Sequence, residues 1–179
     1  GTVKEVGVRM TIPGTLEACI VVESDGEFEH DVTLLPHKEY ESLDPKEYLR
    51  IIREAGIVGM GGACFPTHVK LAPPPDRDIR WLIVNGAECE PFLNCDNRLM
   101  LERPEPIIEG LKICMRLFPH AEGVIAIENN KPESIKRLEG ELSDHHGSHI
   151  RVMPHEVKYP QGAEKMLIYS VTGQQIPPG

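Results

Sequence analysis

The sequence has no apolar run approaching the ~18–20 residues that a bilayer-spanning helix requires, so no direct membrane insertion is expected. It also lacks a basic excess. Nineteen Lys and Arg stand against 28 Asp and Glu, for a net charge of −9, which sets nucleic-acid binding aside. The five cysteines, at 19, 64, 89, 95 and 114, contain no Cys-x-x-Cys pair. An odd number with that spacing argues against a secreted disulfide framework and for reduced thiols in a cytosolic setting. Nor is there a Cys-x-x-Cys-x-x-Cys run for an iron–sulfur cluster, Cys89 and Cys95 being six apart. Among eight histidines, His145-His146 and His149 fall in a polar stretch without a thiolate partner, so solvated surface rather than a metal site is the expectation. The N-terminus, Gly1-Thr2-Val3-Lys4-Glu5, has neither a signal peptide's basic region and apolar stretch nor an initiator Met. An excised or processed piece of a soluble, cytoplasmic protein is expected.

What is present favours a loop-rich globular fold. There are 16 Gly and 16 Pro in 179 residues, and 40% of the chain is apolar, enough for a packed core. Residues 1–36 alternate apolar and polar types, as in Glu17-Ala18-Cys19-Ile20-Val21-Val22-Glu23, followed by the turn signal Ser24-Asp25-Gly26. This is the pattern of a β-hairpin. Pro36 and the polar residues after it mark a linker over 37–43.

At Asp44 the pattern becomes helical. Asp44 suits an N-cap, Pro45 the first helical position, and Glu47 the far corner of a capping box. Tyr48, Leu49, Ile52 and Ala55 form one stripe, and Gly56 is placed to close a helix over 45–55 in the left-handed conformation. Strands are then expected at 79–85, 123–128 and 149–153. Helices are expected at 106–117, from an Asn130 cap with Glu133 to about Leu142, and at 161–171. All-apolar strands alternating with helices predict an α/β domain: a parallel sheet flanked by helices on both faces, with a Rossmann-like core.

Three stretches carry the chemistry. The first is Gly59-Met60-Gly61-Gly62-Ala63-Cys64-Phe65-Pro66-Thr67-His68-Val69-Lys70. Its glycines allow positive φ and close backbone approach, their N–H groups can form an anion-binding concavity, and Lys70 adds a point charge. It is neither a Walker A motif nor a clean Gly-x-Gly-x-x-Gly, and it follows a helix rather than a strand. A phosphate cradle and a tight structural turn both remain open. The second is Val84-Asn85-Gly86-Ala87-Glu88-Cys89-Glu90-Pro91, at the carboxyl end of the first apolar strand, where α/β sheets bind ligands. Glu88 and Glu90 could accept bonds from ribose hydroxyls or a ring N–H, or simply form an exposed acidic loop. The third, Lys158-Tyr159-Pro160-Gln161-Gly162-Ala163-Glu164-Lys165, leads into the last helix. Its Gly favours an anion or ring at the helix start, while Glu164 also suits the macrodipole.

In order, G-x-G-G-A-x-F-P-T-x-x-K, N-G-A-E-C-E-P, I-E-x-N-K-P and K-Y-P-Q-G-A-E-K closely resemble the RnfC family of Rnf electron-transport complexes. The wider superfamily includes the flavin-carrying, NADH-oxidising subunit of respiratory complex I. The resemblance covers about residues 50–179. Residues 1–36 resemble the closing strands of that family's barrel-sandwich domain, making 44–179 a truncated FMN/NADH-binding domain.

The resemblance implies an FMN and NAD(H) site in an NADH-linked oxidoreductase component. The backbone of Gly59, Gly61, Gly62 and Ala63 would lie along the flavin and the nicotinamide nucleotide. Phe65 would stack near the adenine, and Lys70 would reach a phosphate or flavin oxygen. Asn85 and Glu88 would face the flavin, with Glu90 near the incoming nucleotide. Tyr159, Gly162 and Glu164 would close the opposite side. The chemistry implied is hydride transfer between nicotinamide and flavin, needing no catalytic acid or base from the protein. Electrons would then pass to 4Fe-4S clusters of the parent protein, outside this chain. Met60 and Ala87 replace an Arg and an acidic residue of the complex I relative, and Cys64 occupies a position usually held by a small residue. The chain stops at Gly179, before the family's Asn-bearing strand and cluster-binding region, so weak or absent flavin and no activity are expected of this piece alone. The implied partners are other subunits of an electron-transfer complex, with ferredoxin as electron partner, peripheral on the inner face of the cell membrane. The alternatives are a soluble relative serving a substrate reductase such as proline reductase, and a docking scaffold without cofactor.

Overall fold

Asp44 starts the first helix of the larger of two compact units, Gly1–Tyr40 and Glu41–Gly179. The structure, a computed structural model, describes residues 1–27, 29, 40–61, 63–143 and 149–176. Gly62, linker residues 37–39, His145-His146 and residues 177–179 lie outside the described residues.

In the first unit, β1 (Thr2–Met10) pairs antiparallel with β2 (Leu16–Glu23). The hairpin turn is not the expected Ser24-Asp25-Gly26, which follows β2. It lies at Thr11–Thr15, where the Thr11 N–H donates to the Thr15 carbonyl and Gly14 takes φ +84°. Pro13-Gly14 supplies both the fixed and the positive φ that a reversal needs. Register pairs Val6 with Ile20, Val8 with Ala18 and Met10 with Leu16, so these six apolar side chains share one face.

In the second unit, α1 (Pro45–Glu54) begins at Pro45 with Asp44 as its N-cap, as the sequence predicts, while the Glu47 carboxylate accepts from Arg50. The Asp44 carboxylate accepts from the N–H groups of Lys46 and Glu47, and Tyr48 and Ile52 are buried. Gly56 takes φ +67° after the helix. A short α2 (Thr67–Lys70) follows the Gly-rich loop and had no periodic signal.

The sheet is formed by β3 (Trp81–Gly86), β4 (Glu122–Glu128) and β5 (Ile150–His155), parallel and in that order. Between them lie α3 (Cys95–Glu102), α4 (Pro104–Met115) and α5 (Pro132–Ser143), with α6 (Glu164–Thr172) last. Strand β4 is central, and alternation splits its side chains between two cores. Ile125 and Ile127 pack with Met100, Ile108, Leu111 and Leu138 from α3, α4 and α5. Val124 and Ala126 pack with Leu167 and Val171 of α6. The expected two-sided α/β architecture is therefore present.

Boundaries differ where prolines and caps decide them. Helix α4 starts at Pro104, two residues early, because Pro is tolerated in a first turn. Helix α5 starts at Pro132, one residue after the start an Asn130 cap would set. Helix α6 starts at Glu164, since Gln161 and Gly162 belong to the preceding turn. Helix α3 had not been expected. It is short, with a weak apolar stripe, and its amino end is organised by a carboxylate from outside the helix.

Candidate functional site

The three strands run parallel, so their carboxyl ends share the edge at which open α/β sheets bind ligands. Asn85 is registered with Ala126, and Glu128 with His155. Period two along β4 places Asn85, Glu128 and His155 on the face covered by α6.

Two links join the segments leading to this edge. Asn85 Nδ2 donates to the Gly162 carbonyl oxygen at 2.8 Å, and Asn85 Oδ1 accepts from the Ala87 N–H at 3.2 Å. The approach is close enough that a Cβ on Gly162 would lie 2.7 Å from the Ala87 carbonyl oxygen, so only glycine fits. Lys70 Nζ, at the end of α2, lies 3.6 Å from Glu164 Oε1, at the start of α6, with both side chains exposed. Lys70, Asn85, Gly162 and Glu164, spread across three motifs, are thus connected in two pairs. Phe65, Glu90 and Tyr159 are exposed on the same three segments.

The Gly-rich loop is closed at its base. The Gly59 N–H donates to the Phe65 carbonyl at 2.9 Å, the Thr67 N–H to the Ile57 carbonyl at 3.1 Å, and Val58 bridges Pro66. Of its described residues, the left-handed conformation falls on Cys64 (φ +50°) rather than on Gly59 or Gly61, correcting the expectation for those two glycines. Gly61 has no heavy atom within 4 Å of where a Cβ would sit. At Gly59 and Gly61 the loop presents bare backbone to solvent, with Ala63 also exposed.

Glu88 has a role its sequence position did not predict. It is buried, with Oε1 accepting from the Asp96 N–H at 2.8 Å and Oε2 from the Asn97 N–H at 3.0 Å. It therefore caps α3, satisfying donors that a helix start leaves open and opposing the macrodipole. Glu88, Cys95 and Asp96 have ligand-type atoms within 4.8 Å of one another, but the Glu88 oxygens already serve the helix. Burial, with the Glu88 charge alongside, raises the Asp96 carboxyl above its usual range.

Sequence reasoning missed two residues of this edge, Glu128 and His155. The signal was available: the apolar run 123–127 of β4 ends on an acid inside the I-E-x-N-K-P motif. Glu128 is fully buried, and neither carboxyl oxygen has a hydrogen-bond partner. Burial pushes its carboxyl up. Lys131 and the facing Lys158 backbone pull it down, without the latter reaching hydrogen-bond geometry, and Glu88 and Glu90 raise it further. His155 is buried, its Nδ1 lies 2.7 Å from Ser170 Oγ, and its Nε2 has no partner. Burial and the Arg151 charge push this imidazole below its usual range.

Two open grooves lie elsewhere. One, of about 520 Å3, sits at the amino end of the sheet between Met115, Phe118 and Ile150. The other, of about 490 Å3, lies between α1 and α2. Basic side chains line both, Lys112 and Arg116 in the first and Lys46, Arg50 and Arg53 in the second. Neither brings together the three motif segments that meet at the carboxyl edge, which is the better candidate.

The family described as the Nuo51 FMN-binding domain matches residues 52–179. The chain belongs to the Nuo51 FMN-binding domain family. Its curated relatives bear out the resemblance to the RnfC family. The chain is 46% identical over 160 residues to the C subunit of the proton-translocating ferredoxin:NAD(+) oxidoreductase complex of Clostridium ljungdahlii, covering 89% of this chain and 34% of that protein. It is 40% identical over 179 residues to the C subunit of the Na(+)-translocating ferredoxin:NAD(+) oxidoreductase complex of Acetobacterium woodii, covering all of this chain and 40% of the relative. The C subunit of an ion-translocating oxidoreductase complex of Haemophilus influenzae is 40% identical over 181 residues, and this chain spans 27% of its length. Among solved structures, an NAD+-reducing NiFe hydrogenase shares the fold of this Nuo51-type chain, with a TM-score of 0.65 and 24% identity over 79% of this chain and 27% of that one. Among the described residues, no helix is long and apolar enough to cross a membrane.

Proposed function

We propose that this chain is the FMN- and NADH-binding core of an RnfC-type electron-transfer subunit, working within a ferredoxin:NAD+ oxidoreductase complex. One observation carries the reading. Three chain segments, each bearing a motif of the family, meet at the carboxyl edge of the sheet through Asn85–Gly162 and Lys70–Glu164. The residues present fit a flavin nucleotide. Bare glycine backbone at Gly61 admits close approach, Lys70 offers an exposed cation for a phosphate, and Glu128 and His155 hold unpartnered polar atoms.

When bound, the flavin would supply acceptance of a hydride from NADH, passing electrons on singly to 4Fe-4S clusters elsewhere in the longer protein. The protein's own part is positioning. Gly59, Gly61, Gly62 and Ala63 would lie along the nucleotides, and Lys70 would exchange Glu164 for a phosphate or ring oxygen. Asn85 and Gly162 would hold two walls at a fixed separation. Phe65 and Tyr159 would contribute exposed aromatic faces, and Glu90 a hydroxyl acceptor. Glu88 would support the flavin wall through α3. Residues 1–36 are read as part of a barrel-sandwich domain and 37–43 as a linker, with 44–179 the nucleotide-binding domain. The complex would sit peripherally on the inner face of the membrane through partner subunits.

The test is an FMN titration followed by flavin fluorescence, then NADH addition, on this chain and on one carried to its relatives' length. Saturable micromolar binding with bleaching by NADH in the longer chain, weaker or absent in the shorter, is the expected result. No binding by either would remove the flavin assignment.

A further inference from the structure

Glu128 and His155 are neighbours across the β4–β5 ladder, on the same face, and between them leave three buried polar atoms without partners: Oε1 and Oε2 of Glu128 and Nε2 of His155. Buried polar atoms are nearly always satisfied, so three together at the ligand-binding edge of a sheet call for a common partner. The chemistry of that partner follows from what the two side chains offer. With the Ser170 hydroxyl assigned as donor to Nδ1, the remaining ring proton of the neutral imidazole sits on Nε2, which then donates. A Glu128 oxygen accepts in either protonation state. An acceptor and a donor on adjacent strands match a group carrying N–H beside C=O.

We propose that Glu128 and His155 form a two-point subsite for an amide or imide edge of the bound nucleotide, Glu128 accepting from its N–H and His155 Nε2 donating to its C=O. This rests on the nucleotide-binding reading above and names the part of the ligand that is read. Two ligands of that reading carry such an edge: the pyrimidine imide of the flavin ring and the carboxamide of the nicotinamide. The backbone of Lys158 faces Glu128 from the exposed segment Glu156–Pro160, so that segment is what the ligand edge displaces to reach the pair. Glu88, Glu90 and Lys131 also bear on Glu128, and Arg151 on His155. These charges lie outside the pair and leave the donor–acceptor pattern to the two side chains themselves.

The experiment compares four ligands: FMN, N3-methyl FMN, NAD+ and nicotinic acid adenine dinucleotide. Affinities are measured by fluorescence and calorimetry in the chain carried to its relatives' length. The proteins are wild type, Glu128→Leu, Glu128→Gln and His155→Phe, each checked for folding by its unfolding curve. Wild type is expected to bind the ligand with an intact edge about ten- to a hundredfold more tightly than its modified partner. Glu128→Leu abolishes the preference, while Glu128→Gln, which keeps a carbonyl acceptor, retains part of it. Discrimination between the two flavins assigns the subsite to the imide, and discrimination between the two dinucleotides assigns it to the carboxamide. Binding of FMN and NAD+ with preferences unchanged in Glu128→Leu and His155→Phe overturns the subsite and leaves the flavin reading standing. Failure of wild type to bind either ligand overturns both.

Discussion

Asn85 Nδ2 donates to the Gly162 carbonyl oxygen at 2.8 Å, joining residues 77 positions apart at the end of β3 and the approach to α6. The same approach leaves no room for a side chain at 162, because a Cβ would stand 2.7 Å from a backbone oxygen. Gly162→Ala is expected to cost about 1–3 kcal/mol in urea unfolding, as overpacking against rigid backbone does. Asn85→Ala should cost about 1 kcal/mol through the lost bond. Both should weaken FMN binding by more than their effect on stability, since the two walls would part. Equal, small effects on both readouts would remove the clamp from the site.

Glu88→Ala separates two roles for one carboxylate. If Glu88 acts as the cap of α3, the change lowers stability by about 1–2 kcal/mol and reduces helical signal in circular dichroism. Any change in flavin affinity should then be recovered at low temperature, where the helix reforms. Unchanged stability with lost affinity would instead return Glu88 to direct ligand contact.

Lys70→Ala tests the opposite case. Its partner Glu164 is exposed, so stability should stay within about 0.5 kcal/mol. Loss of the cation should weaken FMN binding about tenfold or more, by a lost charge-assisted bond to phosphate or ring oxygen. The fluorescence titration reads this directly.

The two buried titratable groups set opposite pH slopes. The Glu128 carboxyl is raised when folded, so its contribution is fully present below the unfolded value and is lost as pH rises through the folded one. The His155 imidazole is lowered, so its contribution is present above the unfolded value and is lost as pH falls through the folded one. Urea midpoints measured from about pH 4 to about pH 9 should therefore carry two opposed slopes. One falls as pH rises from the ordinary carboxylate range through the Glu128 titration, and the other falls as pH drops from the ordinary imidazole range through the His155 titration. Glu128→Gln should remove the loss that accompanies rising pH, and His155→Phe the loss that accompanies falling pH.

Cys64 is exposed in the left-handed conformation, and Cys114 is half-buried with its thiol pushed up by burial. A thiol reagent under native conditions should modify Cys64 well before Cys114. Cys64→Val should destabilise by about 1–3 kcal/mol, since a branched side chain tolerates that conformation poorly. Cys64→Gly should stay within about 1 kcal/mol, relief of strain offsetting added chain entropy.

Local chemistry made the α/β order and most element types legible. Asp44-Pro45 starts α1 and Gly56 follows it, while the all-apolar run at 123–127 marks β4 as a strand buried on both faces. These are effects of capping, backbone sterics and period, which act over a few residues. The motifs likewise marked the three segments that reach the carboxyl edge. What each polar side chain does was decided by tertiary structure. Glu88 was drawn to α3 because that helix start needed an acceptor, and α3 itself escaped notice because its cap comes from seven residues before its first residue. Glu128 and His155 became a pair only through the register of β4 and β5, and Asn85 met Gly162 only once α6 had closed over the sheet. Composition and spacing determine which segments are helix, strand or glycine loop, because those preferences are local. Partners are assigned by burial and register, which bring together groups that the chain holds far apart.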